Sequence, residues 1–219
     1  MTDRQLAAFD FDGTITRRDT LFGFLRHTFG NLAVSRALAR CAPVAGRARI
    51  SGTGSDVHPR DAGKLTLLHA LARGHSAEAV AQAGREYART LPPRFRPDVA
   101  GRLAWHIDQG HDVVIVSASL RSYLDPLQDH LGAADVLACE FESDTDGLLT
   151  GRLVRPNVRG PEKETRLREW MSGRDRYDLV WAYGNSGGDR ELLAMADRPT
   201  LVTRADIGAV PPKTTIDRR

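Results

Sequence analysis

Leu6-Ala7-Ala8-Phe9-Asp10-Phe11-Asp12-Gly13-Thr14 is the stretch that decides how this chain folds. Leu6 to Phe11 is a short apolar run, and it reads as a buried strand that delivers carboxylates at its C-terminal end. Side chains two apart on a strand point the same way, so Asp10 and Asp12 share the strand's end. Two acids placed together repel unless a cation or a proton sits between them. A capping turn is the bland reading, since Asp and Gly are common turn formers. The apolar strand directly before the acids favours chemistry over a turn.

Working outward, the same pattern recurs. Asp112 to Ser117 (DVVIVS) is β-branched and ends in small polar residues, and Asp178 to Tyr183 (DLVWAY) runs into a Gly-rich turn. Pro199 to Thr203 is a weaker fourth strand. Helical stretches at Asp98 to Gln109, Ser122 to Leu131 and Glu162 to Met171 alternate with these strands. Alternation predicts an α/β fold with a Rossmann-like parallel sheet covered on both faces. Ligands of such sheets bind outside the carboxyl ends of the strands. Two segments break the alternation. Asp135 to Ser143 and Leu148 to Val154 flank Thr145-Asp146-Gly147 and read as a β-hairpin. Residues from about Asp19 to Tyr87 carry only helical patterns, with a Gly52 to His58 loop between them. The expected division is therefore a core of residues 1–16 and 95–219 with a helical insertion over 17–94.

Composition bounds the function. The chain has 219 residues, 41% hydrophobic and 27% charged, enough for one buried core. A net charge of +3 comes with no Lys/Arg block, so no nucleic-acid partner is expected. Cys41 and Cys139 have no C-x-x-C or Cys/His spacing and are expected as reduced thiols. No stretch approaches the roughly 18 apolar residues that span a bilayer, and the N-terminus lacks an apolar signal region. The expectation is a soluble cytoplasmic protein.

With these segments in place, the chain resembles the haloacid dehalogenase superfamily of phosphohydrolases. Four motifs occur in order: D-x-D-G-T at Asp10 to Thr14, a strand ending in Ser117, Lys163 at a helix start in GPEK, and the loop GNSGGD from Gly184 to Asp189. The resemblance implies a Mg²⁺-dependent phosphatase with Asp10 as nucleophile and Asp12 as acid and then base. It implies phosphoryl contacts from Gly13, Thr14, Ser117, the Ala118 N–H and Lys163. It implies metal ligation by Asp10, Asp12 and the last loop. That loop departs from the usual G-D-x-x-x-D: Asn185 stands where relatives carry Asp, leaving Asp189 as its acid. Either residue is a candidate ligand.

The insertion resembles the cap of the phosphoserine-phosphatase-like branch, and DGTITRRDTLFGFLRHTFG is similar to its type-IB hydrolases. That implies substrate roles for Asp19, placed to meet an amine, and for Arg60 and Lys64, placed to meet a carboxylate or second phosphate. Helix capping by Asp19 and a solvated face for Arg60 and Lys64 stay open. Phosphatidylglycerophosphate phosphatases also resemble this region. Here Arg36, Arg40, Arg47 and Arg49 interrupt the apolar stretch, so a small soluble phosphate ester is favoured over a lipid, and membrane insertion is not expected. Phosphotransfer to an alcohol and a non-catalytic binding module remain alternatives, and the sequence sets no oligomeric state.

Overall fold

A computed structural model describes residues 4–50 and 59–211, with the side chains of 41–50, 59 and 60 outside that description. The Gly52 to His58 loop also lies outside it. The centre is β1 (Gln5–Phe9), whose Leu6, Ala7, Ala8 and Phe9 are fully buried. After β1 the chain turns tightly through Phe11–Ile15. It then runs through α1 (Leu21–Phe29), α2 (Asn31–Ile50), α3 (Pro59–Ala72) and α4 (Ala77–Ala88). Next come α5 (Pro97–Asp108), β2 (Asp112–Leu120), α6 (Arg121–Leu124), α7 (Gln128–Leu131) and β3 (Asp135–Cys139). The remainder is β4 (Phe141–Ser143), β5 (Leu149–Leu153), α8 (Pro161–Ser172), β6 (Leu179–Gly184), α9 (Arg190–Ala194) and β7 (Arg198–Leu201).

Five strands form one parallel sheet in the order β3-β2-β1-β6-β7. Phe9 is level with Ile115 of β2 and Tyr183 of β6, so β1 and β6 end together while β2 runs on beyond them to Leu120. The strand order reverses at β1, and a ligand crevice forms where neighbouring connections diverge in this way. Asp10 leaves the sheet at that point, its N–H still bonded to the Tyr183 carbonyl at 2.9 Å.

Three sequence expectations are corrected. The hairpin arm expected over Asp135 to Ser143 is two elements: Asp135–Cys139 joins the sheet as an edge strand, and only Phe141–Ser143 pairs with β5. The helix expected over Ser122 to Leu131 is split into two short turns by a 3₁₀ turn at Asp125–Leu127. Pro126 lacks the N–H that a continuous helix needs there. β1 stops at Phe9 rather than Phe11, because the backbone turns as soon as the first acid is reached.

The four insert helices share the core's hydrophobic interior through Phe24, Leu25, Val34, Leu68, Ala72 and Val80. Contact is close where α4 meets α6: a Cβ on Gly84 would fall 1.9 Å from the Ser122 carbonyl oxygen, so only glycine fits. The β4–β5 hairpin is bonded to the insert, Gly74 N–H to the Leu149 carbonyl and Leu149 N–H to the His75 carbonyl, both at 2.8 Å. On α2, Val34 and Ala37 are buried while Leu32 and Leu38 face solvent. Among the described residues no helix is long and apolar enough to cross a membrane.

Candidate active site

The turn after β1 is built around Gly13, whose φ of +82° is costly for any residue with a Cβ. That Cβ would also fall 1.8 Å from Asn185 Nδ2, so the amide of Asn185 lies directly on the turn. The fourth-motif loop thus reaches the first motif by contact, although 172 positions separate Gly13 from Asn185 (185 − 13).

Asp10, Lys163 and Asp189 form a buried triad. Lys163 Nζ donates to Asp10 Oδ1 and to Asp189 Oδ1, each at 2.6 Å, and the three residues are 6%, 1% and 2% exposed. Ions withdrawn from water this far require their partners, because an unpaired charge in the interior is strongly destabilising. Lys163 stands at the start of α8, behind Pro161, whose missing N–H suits a first helical turn. Burial works against its ammonium, but the two carboxylates outweigh burial and raise its pKa.

The carboxylates divide unequally. Burial pushes Asp10 up, against Lys163 and a 2.8 Å hydrogen bond donated by Thr14 Oγ1. Burial also opposes ionisation of Asp189, yet its pKa is lowered. Lys163, by its charge and hydrogen bond, and then Ser186 outweigh burial: Oδ2 accepts from Asn185 N, Ser186 N and Ser186 Oγ at 3.1, 2.9 and 2.9 Å. Asp189 is therefore committed to holding Lys163 and its own loop, while Asp10, with a single hydrogen bond on each oxygen, is the less engaged of the two carboxylates.

Asp12 has a separate network. Its Oδ1 accepts from Thr20 N at 2.8 Å and Thr20 Oγ1 at 2.7 Å, and its Oδ2 accepts from Ser119 Oγ. Thr20 Oγ1 lies 3.1 Å from the Tyr123 hydroxyl, and Tyr87 donates to the Thr20 carbonyl at 2.9 Å. Burial and then the nearby charge of Asp19 raise Asp12 to about 6, against the hydrogen bonds from Ser119 and Thr20. A carboxyl poised there can give a proton and take one back at neutral pH.

Ser117 ends the regular part of β2. The register of β2 with β3 shifts between Val116 and Leu120, which frees the intervening backbone from the ladder. Ser119 N–H donates to Ser117 Oγ at 3.1 Å. Asp19 is exposed and accepts a long 3.4 Å bond from Phe22 N at the start of α1. Arg60 opens α3, but its side chain lies outside the described residues. Lys64 does not lie on a solvated face: its ammonium donates to the Ala118 carbonyl and to Asn157 Oδ1.

The structure thus brings Asp10, Asp12, Gly13, Thr14, Ser117, Ala118, Lys163, Asn185 and Asp189 to one edge of the sheet. Sequence reasoning missed Thr20, Ser119, Tyr123 and Asn157. Ser119 was signalled by its place two beyond Ser117, on the same side of an extended chain. The others carry no local signal, since their partners are 8 to 103 positions away.

A divalent cation fits this chemistry. Among the described residues no group of three His, Cys, Asp or Glu side chains forms a ready-made metal cluster. The available donors are oxygens: the Asp10 carboxylate, main-chain carbonyls of the turn, and the Asn185 amide that lies against Gly13. A hard-oxygen, partly open set of one or two carboxylates suits Mg²⁺, which keeps several waters.

Comparison with known proteins shows the family and the fold. The family model described as haloacid dehalogenase-like hydrolase matches residues 7–194. Protein CicA of Caulobacter vibrioides is 33% identical over 202 residues, covering 88% of this chain and 83% of that protein. A histidinol-phosphatase of Neisseria meningitidis is 23% identical over 206 residues, covering 91% and 90%. A substrate-bound phosphoserine phosphatase structure shares the fold with a TM-score of 0.59 at 18% identity, covering 90% of this chain and 84% of that one.

Proposed function

This chain belongs to the haloacid dehalogenase-like hydrolases, and on that premise we propose that it is a phosphatase that cleaves a small soluble phosphomonoester through an aspartyl-phosphate on Asp10. The observation that carries the reading is the Asp10–Lys163–Asp189 triad at the carboxyl edge of the sheet, with Asp12 beside it at about 6. Lys163 and Thr14 hold the Asp10 carboxylate in place, so its attack on phosphorus needs little reorganisation. The bond formed is Asp10 Oδ to phosphorus, and the bond broken is phosphorus to the ester oxygen. The departing oxygen takes its electron pair and the proton of Asp12. Asp12, now ionised, accepts a proton from the water that attacks the acyl-phosphate, and Asp10 is released with inorganic phosphate. Ser117 Oγ, the Ala118 N–H and Lys163 are assigned to the phosphoryl oxygens.

Asp10, the main-chain carbonyl of Asp12 and Asn185 are the residues assigned to Mg²⁺. When bound, Mg²⁺ supplies charge neutralisation between the carboxylate and the incoming phosphate. Asp189 is assigned to positioning Lys163, because its Oδ1 accepts from Lys163 and its Oδ2 from three loop donors, against one hydrogen bond on each oxygen of Asp10. The insert of α1 to α4 is assigned as the cap that closes over the site and selects the leaving group. Asp19, whose charge is felt at Asp12, is assigned to a substrate amine. That suits the amino-bearing phosphoserine and histidinol phosphate named for the similar proteins.

The test is phosphate release from a panel of phosphometabolites with and without Mg²⁺, including glycerophospholipid head groups and an added alcohol acceptor. The expected result is Mg²⁺-dependent release from small phosphomonoesters. Asp10→Asn is expected to abolish it while the thermal unfolding curve is kept, since the amide is nearly isosteric but a poor nucleophile. Turnover retained by purified Asp10→Asn overturns the nucleophile assignment. Release confined to lipid head groups, or phosphate delivered chiefly to the alcohol, replaces the substrate or acceptor proposed.

A further inference from the structure

Lys64 is a partly buried cation whose partners are neutral. Its ammonium donates to the Ala118 carbonyl and, at 2.5 Å, to Asn157 Oδ1. No carboxylate pairs with it among the described residues. The nearest acid on its own helix, Asp61, instead accepts from Asn157 Nδ2 at 2.8 Å. Asn157 is buried, and its oxygen also accepts from Cys139 Sγ at 3.2 Å. Helix α3 of the insert is thereby clasped to the core at the end of β2 and before α8.

The Ala118 carbonyl is one half of a peptide unit whose other half is the Ser119 N–H. In a trans peptide these two groups point in opposite directions and are conjugated through the C–N bond. Lys64 pulls on the oxygen, and the N–H on the far side donates to Ser117 Oγ at 3.1 Å. Drawing electron density towards the carbonyl oxygen makes that N–H a stronger donor, by the mutual polarisation that runs along hydrogen-bond chains. A hydroxyl that accepts in this way keeps its single proton to donate elsewhere. The chain of contacts therefore runs from the insert's ammonium, through one peptide, to the hydroxyl assigned to the phosphoryl group.

We infer that Lys64 is a positioning residue that couples docking of the insert to the aim of the Ser117 hydroxyl, an inference that rests on the phosphatase reading of the same site. Lys64 acts through the 118–119 peptide and need not touch the substrate. Its effect therefore extends to esters with no carboxylate or amine, and it disappears when Ser117 has no hydroxyl to aim.

A double-mutant cycle separates this from direct substrate binding. Wild type, Lys64→Met, Ser117→Ala and the double variant are compared for kcat/KM on phenyl phosphate at saturating Mg²⁺. The affinity of each for inorganic phosphate is measured in parallel by titration calorimetry. Lys64→Met is expected to lose about tenfold in kcat/KM, as misaligned positioning contacts do. The double variant is expected to be no worse than Ser117→Ala alone, with phosphate affinity following the same non-additive pattern. Thermal unfolding checks the fold. If Lys64→Met does not fold, Lys64→Gln, which keeps a neutral donor, replaces it in the cycle. Losses that multiply, or a Lys64→Met enzyme equal to wild type, overturn the inference. A wild type that releases no phosphate from any ester overturns the phosphatase reading, and the calorimetric cycle then decides the coupling alone.

Discussion

Replacing Asp12 by Asn is expected to stabilise the protein at neutral pH while impairing its chemistry. The carboxyl sits among Thr20, Ser119 and the charge of Asp19, and its pKa rises from 3.8 to about 6, with burial as the first cause. A raised carboxyl pKa means that the folded form binds more protons than the unfolded form between those values. Stability contributed at this position is therefore highest below about pH 4, falls as pH rises through about 6, and is level above. The difference between 3.8 and about 6 corresponds to about 3 kcal/mol at 1.36 kcal/mol per pKa unit. Asp12 is only half-buried as a residue, and solvent screening brings the expected figure to about 1–2 kcal/mol. An Asn keeps one oxygen for Thr20 and turns its amide to Ser119 Oγ, which accepts as readily as it donates. The assay is urea unfolding with EDTA present, on wild type and Asp12→Asn, from pH 4 to pH 8. The variant's advantage is expected to grow from near zero at pH 4 to the full value above pH 7. A variant equal to or weaker than wild type at pH 8 refutes the reasoning. Under the same reading, this variant's loss of turnover is greater on alkyl than on activated aryl phosphates, because only poor leaving groups need the proton.

Lys163→Met leaves Asp10 and Asp189 buried without their shared cation. It is expected to cost about 3–5 kcal/mol by urea unfolding, and an unchanged midpoint refutes the triad as a structural unit. Asn185→Asp is expected to lower the Mg²⁺ concentration giving half-maximal activity, since another carboxylate attracts the cation more strongly. Turnover falls if the added charge also repels phosphate, and an unchanged Mg²⁺ titration removes Asn185 from the metal site. Gly13→Ala combines a positive φ with a clash against Asn185 Nδ2, so activity is expected to fall at least about a hundredfold with the sheet intact by circular dichroism. Near-normal turnover in that variant means the turn is not held against the fourth-motif loop.

The Asp10–Thr14 stretch was decisive alone because its signal is local. An apolar strand that ends in two acids and a glycine can be read without knowing what surrounds it, and the alternation of later strands and helices is set by hydrophobic period. Fold class and the helical insertion between β1 and β2 follow from such local features, whereas the four segments that meet at the site are picked out together by resemblance to the haloacid dehalogenase superfamily. Tertiary structure alone decided what depends on the third dimension. Periodicity could not tell that Asp135–Cys139 joins the parallel sheet while Phe141–Ser143 turns to a hairpin, because the two segments adjoin in sequence and are told apart by their strand partners. Nor could the sequence divide labour between Asn185 and Asp189, which are both polar loop residues on paper. Folding places Lys163 and three loop donors on Asp189 and leaves the Asn185 amide against Gly13. Lys64, read from the sequence as a substrate contact or a solvated helix-face cation, became a core contact because α3 folds back on a peptide 54 positions away. Each of these distinctions is a matter of which groups share a desolvated space, and a linear pattern does not encode that.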